Sequence, residues 1–207
     1  MSDNNLVYIL DNKVYINLTN RCTNDCIFCI RRLKDDVVGA DMWLKSENIT
    51  AQDVIEQLEK YVDKLPNGLT FCGYGEPTIK FDILKNVAEY VKKNYPNVFI
   101  KVNTNGHGNV INKKNILPEL KGLIDEFSIS LNAQNEELYN ELCLPKVSNA
   151  YSEMLEFAKK AVKEGFKTTM SIVSGYKDYN VDIKECENIA LNIGANFRNR
   201  EWLDNGY

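Results

Sequence analysis

The chain has 207 residues, 44% hydrophobic and 26% charged, an ordinary globular balance that leaves room for one sizeable core and is short for two full domains. Its formal net charge of −4 excludes a global basic field of the kind that points to nucleic acid. No run approaches the roughly 18 consecutive apolar residues of a membrane span, and Met1-Ser2-Asp3-Asn4-Asn5 lacks the basic-then-apolar order of a signal peptide, so one cytoplasmic domain over 1–207 is expected.

Short β-rich runs alternate with helical patterns along the chain. Val14-Tyr15-Ile16-Asn17-Leu18 predicts a first strand leading into a cysteine-rich loop. Thr50-Ala51-Gln52-Asp53 has the form of a capping box, with Val54, Ile55, Leu58, Tyr61 and Val62 on one helical face behind it. Leu69–Cys72 predicts a second strand ending in the turn Gly73-Tyr74-Gly75-Glu76-Pro77. A helix follows on Ile83, Leu84, Val87, Ala88 and Val91, broken at Asn94-Tyr95-Pro96-Asn97. Val98–Val102, Phe127–Leu131 and Thr168–Val173 predict strands three to five, with a helix from about Tyr151 to Lys163 closed by Gly165. A last helix from Asp182 to Gly194 leads to a sixth strand, Phe197–Trp202.

Strands separated by helices imply right-handed crossovers and a parallel sheet. Six units fall short of the eight that close a full barrel, so the expected fold is α/β, an open partial (β/α)6 TIM-like barrel with parallel strands. In such folds functional groups gather at the C-terminal strand ends. The cysteine loop, Gly73–Pro77, Asn103–Gly106 and Ser130–Asn132 all follow strands and should share one rim.

Cys22, Cys26 and Cys29 are spaced C-x3-C-x2-C within Asn20-Arg21-Cys22-Thr23-Asn24-Asp25-Cys26-Ile27-Phe28-Cys29. Three thiolates on an iron-sulfur cube leave one iron without a protein ligand, and an open metal position is a place for chemistry. The structural alternative is a zinc site completed by Cys72 or His107.

These motifs together resemble the radical S-adenosylmethionine (SAM) superfamily. More narrowly, the phrases from Tyr15 to Arg31, Phe71 to Thr78 and Ser128 to Ala133 resemble the TatD-associated radical SAM proteins. The resemblance implies that Cys22, Cys26 and Cys29 hold a [4Fe-4S] cluster whose fourth iron is chelated by the amine and carboxylate of SAM. Reductive cleavage would then give a 5′-deoxyadenosyl radical that abstracts hydrogen from a substrate not identified by the sequence. It places Phe28 near the adenine. Gly73, Tyr74, Gly75 and Glu76 would lie against the methionine ammonium, and Asn103, Asn105, Ser130 and Asn132 against ribose and carboxylate. Tyr74 departs from the commoner Gly-Gly-Glu form, and Ser174-Gly175-Tyr176-Lys177-Asp178 lacks the glycine-and-acid pattern of many relatives. Ser171 and Arg198 are further candidates.

The resemblance also implies a low-potential electron donor such as flavodoxin or ferredoxin, and a functional link to a TatD-family hydrolase. One radical SAM core domain with no auxiliary-cluster domain is expected. The alternatives are an activase that generates a glycyl radical in a partner protein, a non-catalytic SAM- or cluster-binding regulator, and a zinc-stabilised interaction module. Of the remaining thiols, Cys72 and Cys186 read as buried, and Cys143 as a buried helix-end thiol or one approaching the cavity. His107 reads as a solvated loop residue. Arg31, Arg32 and Lys34 read as a solvated face or as a rim attracting an anionic substrate, and Trp43 as a lid or a core filler.

Overall fold

The computed structural model describes residues 4–37 and 39–203. Met1–Asp3 of the N-terminal segment and Val38 of the segment 31–44 lie outside the described residues. Among the described residues no helix is long and apolar enough to cross a membrane.

A seven-stranded sheet organises the chain. Its strands are β1 (Val7–Leu10), β2 (Lys13–Ile16), then, past a two-stranded ribbon of β3 (Asp36–Val37) and β4 (Ala40–Asp41), β5 (Leu69–Phe71), β6 (Ile100–Thr104), β7 (Glu126–Ser130), β8 (Lys167–Ser174) and β9 (Asn196–Glu201). The order is β1-β2-β5-β6-β7-β8-β9, and every pairing after the first is parallel. Six parallel strands in sequential order match the expected count. The seventh, β1, was not expected. It pairs antiparallel with β2 through Asp11 and Asn12, both left-handed at φ 48° and 60°, the conformation a two-residue hairpin turn needs.

The helices are α1 (Ala51–Leu58), α2 (Phe81–Asn94), α3 (Gly108–Asn112), α4 (Leu117–Leu120), α5 (Glu136–Cys143), α6 (Ala150–Lys163) and α7 (Ile183–Ile193). The capping box forms as expected: Thr50 Oγ1 accepts from Asp53 N, and Asp53 accepts from Thr50 N. The helix behind it does not run to Val62. It tightens into a 3-10 turn from Glu59 to Asn67 that contains Pro66, Tyr61 leaves helical geometry, and Val62 is exposed. Asp182 caps α7 and Gly194 closes it at φ 85°.

Alternation along the strands separates two faces. Ile16, Phe71, Val102, Ile129 and Met170 pack in the core with Val54, Leu84, Phe157 and Ala190 of the helices. Tyr15, Thr70, Cys72, Lys101, Asn103, Ser128, Ser130, Ser171 and Arg198 face a cavity instead. A parallel sheet covered by helices on one face and lined by polar groups on the other has a place for a ligand built into it. Cys186 is a core residue, as expected. Cys72 is not: it is half-buried and continues the cavity face of β5, because the alternation assigns Leu69 and Phe71 to the helices.

Candidate cofactor site

The cavity has a volume of about 400 Å³. Cys22, Cys26 and Cys29 line it together with Phe28, Gly73, Tyr74, Gly75, Glu76, Asn103, Asn105, Ser130 and Asn132, so every residue expected at the site lies on one surface. Ser171 and Arg198 lie there too.

Local interactions hold the cysteine loop from all sides. Asn24 N donates to Cys22 Sγ at 3.4 Å, and Asn105 Nδ2 approaches the same sulfur at 3.7 Å while donating to Thr23 Oγ1 at 2.7 Å. Asp25 pairs with Arg31 at 2.7 Å and Arg32 at 3.0 Å, and Arg32 also donates to the carbonyls of Cys26 and Asp25. Arg31 and Arg32 thus turn back onto the loop, Arg31 half-buried and Arg32 exposed. Opposite them, the end of α5 accepts Asp25 N on Cys143 O and Ile27 N on Leu142 O.

Burial pushes the Cys22 thiol up to about 12 and raises Cys29. Cys26 is raised by a thiol contact with Cys143 and by burial. Cys143 is fully buried, and its sulfur accepts from Asn132 Nδ2 at 3.3 Å. All six cysteines are free thiols.

The glycine-rich turn packs against this loop. A Cβ on Gly75 would fall 2.3 Å from Thr19 O and 2.4 Å from Arg21 O; one on Gly73 would fall 2.0 Å from Asn17 Oδ1. Both glycines are therefore required by the chain's own backbone and by a buried asparagine, whatever else approaches them. Glu76 is buried. Its Oε1 accepts from Thr78 N, Thr78 Oγ1 and Thr104 Oγ1, and its Oε2 accepts from Asn105 N at 2.7 Å. Burial holds its carboxyl above the usual carboxylate range against these four donors.

Tyr74, the departure from Gly-Gly-Glu, has a structural role. Its buried ring joins Tyr8 and Met42 in a small satellite core, its hydroxyl donates to Lys34 O, and Trp43 packs edge-on at 5.1 Å. Trp43 is partly exposed and donates to Asp35, so it braces the 31–44 segment over the rim.

His107 is fully buried, contrary to its reading as a solvated residue, because α6 closes over it. Nε2 lies 3.0 Å from Ala150 O, which can only accept, so Nε2 carries the proton and Nδ1 accepts from Thr23 Oγ1 at 2.9 Å. Burial lowers its pKa to about 4. Tyr176 is a second residue the sequence did not disclose. It donates to Ile27 O at 3.0 Å and meets the Phe28 ring edge-on at 6.0 Å, so it supports the aromatic beside Cys29. A tyrosine just after strand five was the available signal.

Two observations test the fit of a cluster and a polar cofactor. Among the described residues no three His, Cys, Asp or Glu side chains converge on a single-ion site. Zinc needs its ligands at about 2.0–2.3 Å from one point, and His107 has both nitrogens engaged. Three thiols on one cavity surface are the donor set that a four-iron cube takes from a protein, one thiolate to each of three irons. Asn24, Asn103 and Asn132 line the cavity, and each keeps a buried Oδ1 with no hydrogen-bond partner.

The sequence model of the Radical SAM superfamily matches residues 16–188, a span that holds all three cysteines and the parallel strands β5 to β8. The chain belongs to the radical SAM superfamily. This superfamily uses a [4Fe-4S] cluster and SAM. The uncharacterized protein MJ0907 of Methanocaldococcus jannaschii is 29% identical over 116 residues, covering 56% of this chain and 37% of that protein. The chain therefore matches little more than a third of the length of that curated relative. Among solved structures, TYW1 with a lysine-pyruvate adduct bound has a TM-score of 0.63 at 16% identity, covering 93% of this chain and 65% of that one. SuiB of Streptococcus suis bound to the precursor peptide SuiA has a TM-score of 0.64 at 19% identity over 92% of this chain and 39% of that one. Methylornithine synthase, PylB, has a TM-score of 0.59 at 16% identity over 93% of this chain and 55% of that one. At these identities the likeness is one of fold.

Proposed function

We propose that this chain is an enzyme that reductively cleaves SAM for hydrogen abstraction from a substrate, with Cys22, Cys26 and Cys29 as the cluster ligands. The observation that carries the reading is that the three thiols share one cavity with the turn at Gly73–Glu76 and the polar strand ends. Sequential parallel pairing of β2 and β5–β9 supports an open (β/α)6 barrel around that cavity.

When bound, the cluster and SAM supply one-electron cleavage of the sulfur to C5′ bond and the hydrogen abstraction that follows. The chain's own residues hold and shield. Asn24 N and Asn105 Nδ2 orient Cys22, and the Asp25 ion pairs fix the loop between Cys22 and Cys29. Carbonyls of the Gly73–Glu76 turn receive the ammonium group, with Glu76 keeping that turn fastened to the end of β6 through Thr104 and Asn105. Asn103 and Asn132 would lie against the ribose, and Phe28, backed by Tyr176, would take the adenine face. A low-potential donor of the flavodoxin or ferredoxin kind supplies the electron. The narrower TatD-associated reading rests on the three sequence phrases.

The test is anaerobic reconstitution with iron and sulfide, reduction in the presence of SAM, and detection of 5′-deoxyadenosine by mass. Product from the wild type that disappears in Cys26→Ala together with most of the bound iron supports the assignment. An alanine variant at Cys22, Cys26 or Cys29 that keeps full iron and cleavage refutes that ligand.

A further inference from the structure

Charge is unevenly distributed around the cavity. Lys13 of β2, Lys101 of β6, and Arg198 and Arg200 of β9 all line it. Among the described residues Glu76 is the only carboxylate on the lining surface, and it accepts from four protein donors. Lys101 is paired with Glu126 at 3.3 Å. Among the described residues no carboxylate lies within ion-pair distance of Arg198 or Lys13.

Register places hydroxyls beside the arginine. Arg198 is opposite Ser171, and Ser171 is opposite Ser130, so one guanidinium and two hydroxyls form a row across β9, β8 and β7, all on the cavity face. The Arg198 charge also acts on the Tyr15 phenol of β2. Lys13 lies two residues before Tyr15 on the same strand face. Charged residues on an edge strand commonly serve to block pairing with other chains. That role requires charge along the exposed edge and does not account for a guanidinium aligned with serine hydroxyls on the ligand face.

Position separates Lys13 from the cysteines. Lys13 begins β2 and the cysteine loop follows its far end; the five steps of extended chain from Lys13 to Leu18 span roughly 16 Å. The carboxylate of SAM belongs at the cluster end, so Lys13 is left for the second reactant.

We propose that Arg198, with Lys13 and the hydroxyl of Ser171, binds an oxyanion of the substrate, a carboxylate or a phosphate, on the cavity face of β8, β9 and the start of β2. This rests on the SAM-cleaving reading of the same site. Holding the anion there orients the rest of the substrate in the cavity.

The experiment is calorimetric titration of the cluster-loaded, SAM-saturated protein at low salt with inorganic pyrophosphate and, separately, with tricarballylate. Wild type binds at least one of them, the preferred probe distinguishing phosphate from carboxylate, and Arg198→Gln weakens it about tenfold, as expected for one charge-assisted contact. Lys13→Gln, on a different strand, weakens it in the same direction. SAM affinity in both variants stays within about twofold of wild type, well under the tenfold of a lost contact. Absence of oxyanion binding in the wild type, equal binding in the wild type and both variants, or a tenfold loss of SAM affinity in Arg198→Gln would each overturn the proposal. Oxyanion binding that depends on Arg198 in a protein that never cleaves SAM would sink the catalytic reading and leave the oxyanion site standing. SAM cleavage without oxyanion binding would do the reverse.

Discussion

The backbone amide of Glu76 donates to the carbonyl oxygen of Arg21 at 2.8 Å, and a Cβ on the intervening Gly75 would lie 2.4 Å from that same oxygen. The glycine turn and the start of the cysteine loop are therefore one packed unit. Gly75→Ala forces two backbones apart and should cost about 3 kcal/mol, the upper range for overpacking. Denaturant melts of the wild type and variant measure this. Iron content after reconstitution should fall in parallel, and a variant with unchanged stability and full iron would show that the turn and loop separate freely.

Glu76 links that unit to β6. A glutamine in its place keeps one acceptor oxygen but turns an NH2 toward donors such as Thr104 Oγ1 or Asn105 N. Glu76→Gln should lose roughly 1–3 kcal/mol through the donor left unpaired. Glu76→Asp keeps the charge and shortens the reach, so it should also weaken the contact with Asn105. Amide hydrogen exchange at Asn105 reads the effect directly: protection equal to wild type in Glu76→Gln would remove the carboxylate from this role.

The strand ends were legible because a parallel α/β arrangement forces them onto one rim, and each of the 12 site residues named from the sequence lines the cavity. What stayed hidden depended on contacts remote in sequence. His107 is buried by Thr23 and Ala150, 84 and 43 residues away. Tyr176 reaches Ile27 across 149 residues. The hairpin of β1 and β2 was written in Asp11-Asn12, a pair tolerant of left-handed geometry, but four residues of strand give little periodicity to read. Strand three begins two residues later than its apolar run suggests, since Val98 N donates back to Tyr95 O in the turn that ends α2.

Tyr74 anchors the 31–44 segment through a hydroxyl to Lys34 O and a ring against Trp43. Tyr74→Phe should cost about 1 kcal/mol, the net value of one hydrogen bond. Tyr74→Ala should cost about 3–5 kcal/mol by emptying the satellite core around Tyr8 and Met42. Limited proteolysis provides the local readout: cleavage within 31–44 should accelerate in the order wild type, Tyr74→Phe, Tyr74→Ala. Equal rates would mean that the segment is held by other contacts.

His107 makes acid sensitivity a property of the fold. Its ordinary pKa is near 6.5 and burial lowers it to about 4, so between these values the unfolded chain takes up a proton that the native chain refuses. The neutral ring's contribution is complete above pH 6.5 and declines as pH falls toward 4, by on the order of 3 kcal/mol in all, with a slope approaching 1.4 kcal/mol per pH unit between. Protonation would also put hydrogen on Nδ1, against the Thr23 hydroxyl proton that it now accepts. His107→Gln has no such titration. Urea melts of both proteins across pH 4 to 7 should show a wild-type stability that falls faster toward acid than the variant's, and parallel curves would mean that His107 titrates normally in the folded chain.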